Sequence, residues 1–386
     1  MKLTPYQERH TQFFDAETIP GLEENPLEHF YRERQEHFDA LHERDGIVNL
    51  SLEEKLERAQ PKLRGIPFQG LHFANPLLIA SSPLTQSYET IQQYLDQGAA
   101  GVVLKSAGDF AVQCHCTRDQ PNSGCERRLA IPVKGFWGHM VFSTSQASRH
   151  CERINFKEAR TLYDKIKTHY PQAIVIASFG PETEEDFEKL DQLPGDAIEI
   201  TPRYFRKEFE KPVAVDWWAS EPGDASNPPQ EDLTPNREAY LVHQRNIFNI
   251  LKRQLPQIQR PTLYKWVGHY ELEYPAMIKQ EKLPANGFTI ADSMKQSSYT
   301  GTHGFASLQM GKGSWSGERL FLDMLSQVHS YRANDGRNFV SASGGIFGPN
   351  STLTTMLYGA DTVQLCSALY HGGPKVIGNI LKRLGL

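Results

Sequence analysis

Two lysines stand out by their company. Lys105 closes the apolar run Gly101–Lys105, and Lys265 lies in a second such run, Thr262–Val267. A lysine is ordinarily a solvated surface charge, but one that directly follows a strand-like apolar run is less often so. Small residues end the other apolar runs: Ala80–Ser82, Ser106, Ser178–Phe179, Thr201, Asp292–Ser293, Ser343–Gly345 and Cys366–Ser367. Two amines among many small side chains suit a flat, anionic ligand approached closely by backbone. Phe339–Ser343 runs into the pair Gly344-Gly345, and Thr362–Cys366 into Ser367 and then His371-Gly-Gly-Pro374. Glycine lets backbone N–H groups reach phosphate oxygens, and a following helix N-terminus favours their charge. One Gly-Gly is most simply a turn. Two such ends on the last two runs favour a phosphate site. Cys114, His115, Cys116, Cys125 and Cys151 form another constellation. Their spacing matches no standard CxxC pair, which leaves three readings: a metal site, a loop of free thiols, or a thiol serving an active site.

Those residues need a scaffold that gathers them. From about Gly65 onward, short apolar runs alternate with segments of helical period. The strand-like runs are Leu77–Ala80, Gly101–Lys105, Ala173–Phe179, Ala197–Thr201, Thr262–Val267, Gly287–Ala291, Phe339–Ser343 and Thr362–Cys366. Helical segments are predicted at Tyr88–Gln97, Phe156–His169, Thr183–Asp191 (opened by a Thr183 cap), Arg237–Gln254, Leu272–Glu281, Glu318–Arg332, Thr352–Tyr358 and Lys375–Leu384. Ser220–Pro235, dense in Pro, Asp, Asn and Gly, reads as loop. Alternating strand and helix argues for parallel strands with helical crossovers, and eight repeats in about 300 residues suit a (β/α)8 barrel. A doubly wound open sheet is the rival. In a barrel, the residues named above all fall at the C-terminal strand ends, where such folds carry their sites.

Met1 to about Arg64 has a different texture. Pro26–Arg44 and Ser51–Ala59 are rich in Glu, Arg and His, and Leu27, Phe30, Tyr31, Phe38 and Leu41 make only a narrow apolar stripe. We read 1–64 as a helical extension packed on a barrel of 65–386. A membrane-surface helix would need a wider apolar face. Of the 386 residues, 39% are hydrophobic, far too many for a disordered chain. The net charge of −5 excludes a general basic surface for nucleic acid. Mean hydropathy is −0.52, and no apolar run approaches the length of a membrane span. Five cysteines in so long a chain do not make a disulfide scaffold. A cytoplasmic protein without a membrane span, acting on a small molecule rather than nucleic acid, is expected.

Several segments, in order, resemble the dihydroorotate dehydrogenase family of FMN-dependent barrels. They are Asn75-Pro-Leu-Leu-Ile-Ala-Ser-Ser-Pro-Leu-Thr85, Gly98-Ala-Ala-Gly-Val-Val-Leu-Lys-Ser106, Tyr264-Lys-Trp266, Gly313-Ser-Trp-Ser-Gly317, and the two glycine-rich closing segments. The resemblance runs from about residue 65 to the C-terminus and is weakest in the middle. It implies an FMN cofactor. Ala80 and Ser81 would line the flavin, with Lys105, Ser106 and Ser293 also on it. Lys265 would stabilise negative charge at the ring's N1–C2 edge. Ser316, Gly317, Gly344, Gly345, Cys366 and Ser367 would hold the phosphate. The family is often dimeric, so a homodimer is implied as well.

The departures fall on the substrate side. Where the family carries its Cys or Ser base, this chain reads Ile198-Glu-Ile-Thr-Pro-Arg-Tyr-Phe205, with Glu199 in the place of the usual Asn. Thr201 is the nearest hydroxyl and takes the role of candidate base, and a hydroxyl needs a relay or strong hydrogen bonding to accept a proton. Asp292 stands where the family has Asn, and Trp137 near its amide ligands. Both are candidate substrate contacts, as is Lys105. Arg203, Arg206 and Lys207 read equally as a guide for an anion or as solvated charge. The expected function is therefore oxidation of dihydroorotate or a related cyclic substrate, by proton abstraction and hydride transfer to flavin. The polar extension favours soluble electron acceptors. Two alternatives stay open: a non-catalytic or differently specific FMN binder, and a dihydrouridine-synthase-like reductase.

Overall fold

A computed structural model describes residues 46–108, 139–142, 154–181, 183–201, 237–266, 274–290, 294–296, 313–317, 320–334 and 336–386. Eight parallel strands form its centre: β1 Leu77–Ile79, β2 Gly101–Val103, β3 Ile174–Phe179, β4 Ala197–Ile200, β5 Thr262–Lys265, β6 Gly287–Ile290, β7 Phe339–Ser343 and β8 Thr362–Leu365. Each lies within one of the predicted runs. Strands buried on both faces read as nearly continuous apolar runs, which is why they were visible. Their order is β2-β1-β8-β7-β6-β5-β4-β3, and a ladder from β2 to β3 closes the ring. Closure excludes the open sheet, which would leave two edges. At the seam, Gly101 pairs with Ile174, and a Cβ on Gly101 would stand 2.3 Å from the Ile174 carbonyl oxygen. Only glycine fits there. Below the strands, the hairpin Ile66–Phe68/Leu71–Phe73 plugs the N-terminal mouth. Its Phe68 and Phe73 rings lie 4.5 and 5.7 Å from Phe339.

The outer helices follow from caps and apolar stripes. Leu52–Ala59 (α1) opens with a Ser51/Glu54 capping box, and its buried Lys55 donates to Val48 O and, at 2.7 Å, to Asn350 Oδ1. Next come α2 Tyr88–Leu95 and α3 Phe156–His169. The latter has an Asn155/Glu158 capping box and buries Phe156, Ala159, Leu162 and Ile166. Then follow α4 Arg237–Gln254, α5 Tyr274–Glu281, α6 Phe321–Ala333, α7 Pro349–Leu357, α8 Ser367–Gly372 and α9 Lys375–Leu384. Helix α1 packs on α7, so the end of the extension rests on the crossover before the last strand. The rest of the extension, Pro26–Arg44 included, lies outside the described residues. Helix α9 buries Ile377, Ile380, Leu381 and Leu384, one face of a 3.6-residue period, and ends at Gly385 with φ +71°. Burying each such side chain is worth about 1.5–3 kcal/mol.

Two elements differ from expectation. The Thr183-capped helix is instead a 3₁₀ helix, Glu185–Gln192, with no side-chain cap, and the Thr183 N–H donates to Asp186. The buried residues Phe187, Leu190 and Leu193 explain it. Their spacing of three aligns on a 3₁₀ helix and drifts on an α-helix. Gly313–Gly317, which lies outside every predicted strand and helix, is the middle strand of an antiparallel ribbon between Met294–Gln296 and His139–Phe142. The outer two strands belong to the connections that follow β6 and β2. The ribbon thus ties together excursions from the C-terminal side of the barrel. No helix of the described residues is long and apolar enough to cross a membrane.

Candidate functional site at the C-terminal mouth of the barrel

Parallel strands in a closed ring put all their C-terminal ends at one mouth. Ala80, Lys105, Ser106, Thr201, Lys265, Gly344, Gly345, Cys366 and Ser367, read from scattered segments, therefore share one rim. The Ala80 N–H donates to the Leu365 carbonyl at 2.9 Å, and the Lys105 N–H to Thr85 O at 3.2 Å, which tie the first two strand ends to their neighbours. Ser81 is half-buried beside them. Lys105, Ser106, Thr201, Lys265 and Ser367 are buried. Three hydroxyls join across β2, β3 and β4: Ser106 Oγ lies 2.9 Å from Ser178 Oγ, which lies 3.3 Å from Thr201 Oγ1. Thr201 is held by its own N–H, which donates to Phe179 O at 2.7 Å. These contacts make one buried chain of hydroxyls.

Beneath the rim the barrel is polar where barrels of this kind usually carry branched apolar residues. Glu199 is 0% exposed. Its Oε1 lies 3.3 Å from Lys265 Nζ, while Oε2 accepts from Thr289 Oγ1 at 2.6 Å and Gln364 Nε2 at 3.2 Å. Strands β4 and β8 are not neighbours, so the Glu199–Gln364 contact spans the lumen. Gln364 Nε2 also lies 3.1 Å from Ser341 Oγ, to which Thr362 donates at 2.9 Å. A hydroxyl at 2.6 Å is within the range of charge-assisted bonds to a carboxylate. Ser178 was marked only as a strand end and Glu199 only as a departure from the family pattern; Thr289, Ser341 and Gln364 were not picked as site residues. In β7 and β8 the signal was polar side chains at alternate positions, and in β3, β4 and β6 a single polar side chain in an otherwise apolar strand.

The far side of the rim is built for close backbone approach. Gly344 and Gly345 have φ of +125° and +69°, conformations that L side chains rarely adopt. A Cβ on Gly345 would stand 2.4 Å from the backbone nitrogen of Phe321, the first residue of α6. Cys366, a half-buried cysteine, is the N-cap of the short helix α8 that starts at Ser367. This helix was too short to read from periodicity. The ribbon strand carrying Ser316 and Gly317 lies against it, so both glycine-rich strand ends and that strand meet on one side of the mouth. Nearby, burial and, secondarily, the Cys366 thiol hold the Tyr94 phenol above its ordinary pKa. Trp137, Asp292, Ser293, Arg203, Arg206, Lys207 and Cys114, Cys116, Cys125 and Cys151 lie outside the described residues.

The fold and rim define a (β/α)8 barrel with a polar C-terminal mouth. Among solved structures it is similar to dihydroorotate dehydrogenase (DHODH) from Eimeria tenella, crystallised with ferulenol. The two share a TM-score of 0.54 and 13% identity over 84% of each chain. At that identity the likeness establishes the fold. Among curated proteins, the chain is 30% identical over 133 residues to the NAD-dependent dihydropyrimidine dehydrogenase subunit PreA of Escherichia coli, strains K12 and O157:H7 alike. That match takes in 34% of this chain and 29% of each relative, so it spans less than a third of the curated relatives' length. No family model matches the sequence.

Proposed function

We propose that this chain is an FMN-dependent oxidoreductase acting on a CH–CH bond beside a carbonyl in a small cyclic substrate, dihydroorotate or a close relative. One observation carries the reading: a single barrel rim joins two buried lysines to a strand end, Gly344-Gly345, held in backbone conformations open to glycine. That donor set fits FMN, an anionic ring at one end and a phosphate at the other. FMN, when bound, supplies the hydride acceptor. Gly344, Gly345, Cys366 and Ser367, with Ser316 and Gly317, hold its phosphate. Ala80 and Ser81 line the ring, Lys105, Ser106 and Ser293 bind the ring or ribityl chain, and Lys265 stabilises negative charge on the ring. Thr201 takes the substrate proton as its own hydroxyl proton moves along Ser178 and Ser106 to solvent water. Trp137, Asp292 and Lys105 contact the substrate.

The partial likeness to a dihydropyrimidine dehydrogenase subunit supports a second substrate within the same reaction, a neutral dihydropyrimidine. The departures at Thr201 and Asp292 also favour a ligand other than orotate, because an ionised Asp292 would repel a carboxylate. We take 1–64 as a helical extension on the barrel of 65–386, and the protein as cytoplasmic, using a soluble electron acceptor and forming a homodimer. Anaerobic visible spectra test the reading. Dihydroorotate or dihydrouracil should bleach the bound flavin band within a turnover. A band that neither substrate bleaches, but dithionite does, would contradict it.

A further inference from the structure

We propose that Glu199 is a positioning residue that sets the reduction potential of the bound flavin by offsetting the charge of Lys265. The inference rests on the flavin reading above. Lys265 reaches the rim from β5 with its side chain 7% exposed, and the Glu199 carboxylate lies directly below at 3.3 Å with no exposure at all. Thr289 and Gln364 fix the carboxylate from two other strands. The acid therefore holds the amine in place and presents a near-neutral pair, rather than a free cation, to whatever lies above it. In a buried layer of low dielectric this difference is large. A buried ion pair is a poor source of stability, since well-packed apolar residues do as well or better. A charge kept in the lumen of a barrel points to an electrostatic task.

The direction follows. A free ammonium near the ring favours the electron-rich flavin, and an ammonium paired with Glu199 favours it less. Removing the carboxylate charge makes the flavin easier to reduce. The isosteric change Glu199→Gln should raise the two-electron reduction equilibrium about tenfold, or about 30 mV. Lys265→Met should lower it. The double variant, which removes both charges of the pair, should lie between the two single variants. Glu199→Asp, which keeps the charge but withdraws it by one methylene, should lie between wild type and Gln, and it carries the test if the Gln variant does not fold. A merely structural Glu199 would change the melting temperature and leave the potential alone. A Glu199→Gln potential equal to or below wild type, with flavin bound, overturns the inference. In the flavin-free chain, Glu199→Gln and Lys265→Met must destabilise non-additively, and additive effects also overturn it. Protein that binds no flavin at all instead contradicts the function proposed above, so the two failures are distinct.

Discussion

Thr201 ends β4 with its hydroxyl in a buried chain to Ser178 and Ser106. If it takes the substrate proton, Thr201→Val should slow substrate-driven flavin bleaching by about 100-fold or more, the usual weight of a general base. The flavin should stay bound, and Thr201→Ser should recover most of the rate. A valine variant that bleaches at the wild-type rate would move the base elsewhere. At this scale the sequence was informative wherever an unexpected residue type ended an apolar run. Lys105, Thr201 and the glycine pair stood out at the ends of their runs, and Lys265 within one. Glu199 was seen only as a departure from a family pattern. Its partners Thr289 and Gln364 come from strands 90 and 165 residues further along, and pairing at that separation leaves no local trace.

Elements place these residues, and their weak points are specific. Gly345→Ala must fit a Cβ against the first turn of α6 at a φ of +69°. Strain of this kind costs about 1–3 kcal/mol. The variant should melt at lower temperature and lose flavin affinity, and an alanine variant as stable as wild type would show that the strand end has another geometry. A second prediction concerns the 3₁₀ helix after β3. Its N-cap, Glu184, accepts from Arg253 Nε at 2.9 Å and Gln254 Nε2 at 2.8 Å, at the end of α4. The hydrogen bond from Arg253 holds the Glu184 carboxyl below its ordinary value of 4.5. Its contribution to stability is thus present above about pH 4.5 and is lost as pH falls through the lowered folded value. With Arg253 56% exposed, the pair is worth less than about 1 kcal/mol. Melting curves of wild type and Glu184→Gln should differ slightly at neutral pH and converge under acid. Equal differences at both ends would contradict the assignment.

Elements were legible in proportion to how local their cause is. Phe156–His169 and Lys375–Leu384 were read to the residue, because caps and apolar stripes lie within the segment itself. The 3₁₀ helix was misread because Thr183 was taken for the cap of an α-helix, and the three-residue spacing of the buried residues was not weighed. The ribbon over the mouth was missed because its strands come from two distant connections, after β2 and after β6, and pair only once the barrel has brought them together.

For the whole molecule, the closed barrel turns a linear scatter of lysines, hydroxyls and glycines into one rim. Eight apolar runs predicted the number of strands. Closure itself depends on such details as Gly101 at the seam and the phenylalanine plug below. The distribution of polarity divides the molecule: an apolar wall, a charged layer around Glu199 and Lys265, and a glycine-lined edge opposite. In the function proposed above, the flavin ring would lie over the charged layer and its phosphate at the glycine-lined edge. The most direct test is the cofactor itself. Protein purified without denaturation, or reconstituted with added flavin, should yield about one noncovalent FMN per chain on release and chromatography, with the yield falling in Gly345→Ala. A chain that takes up no FMN, or that releases FAD in its place, would contradict the account.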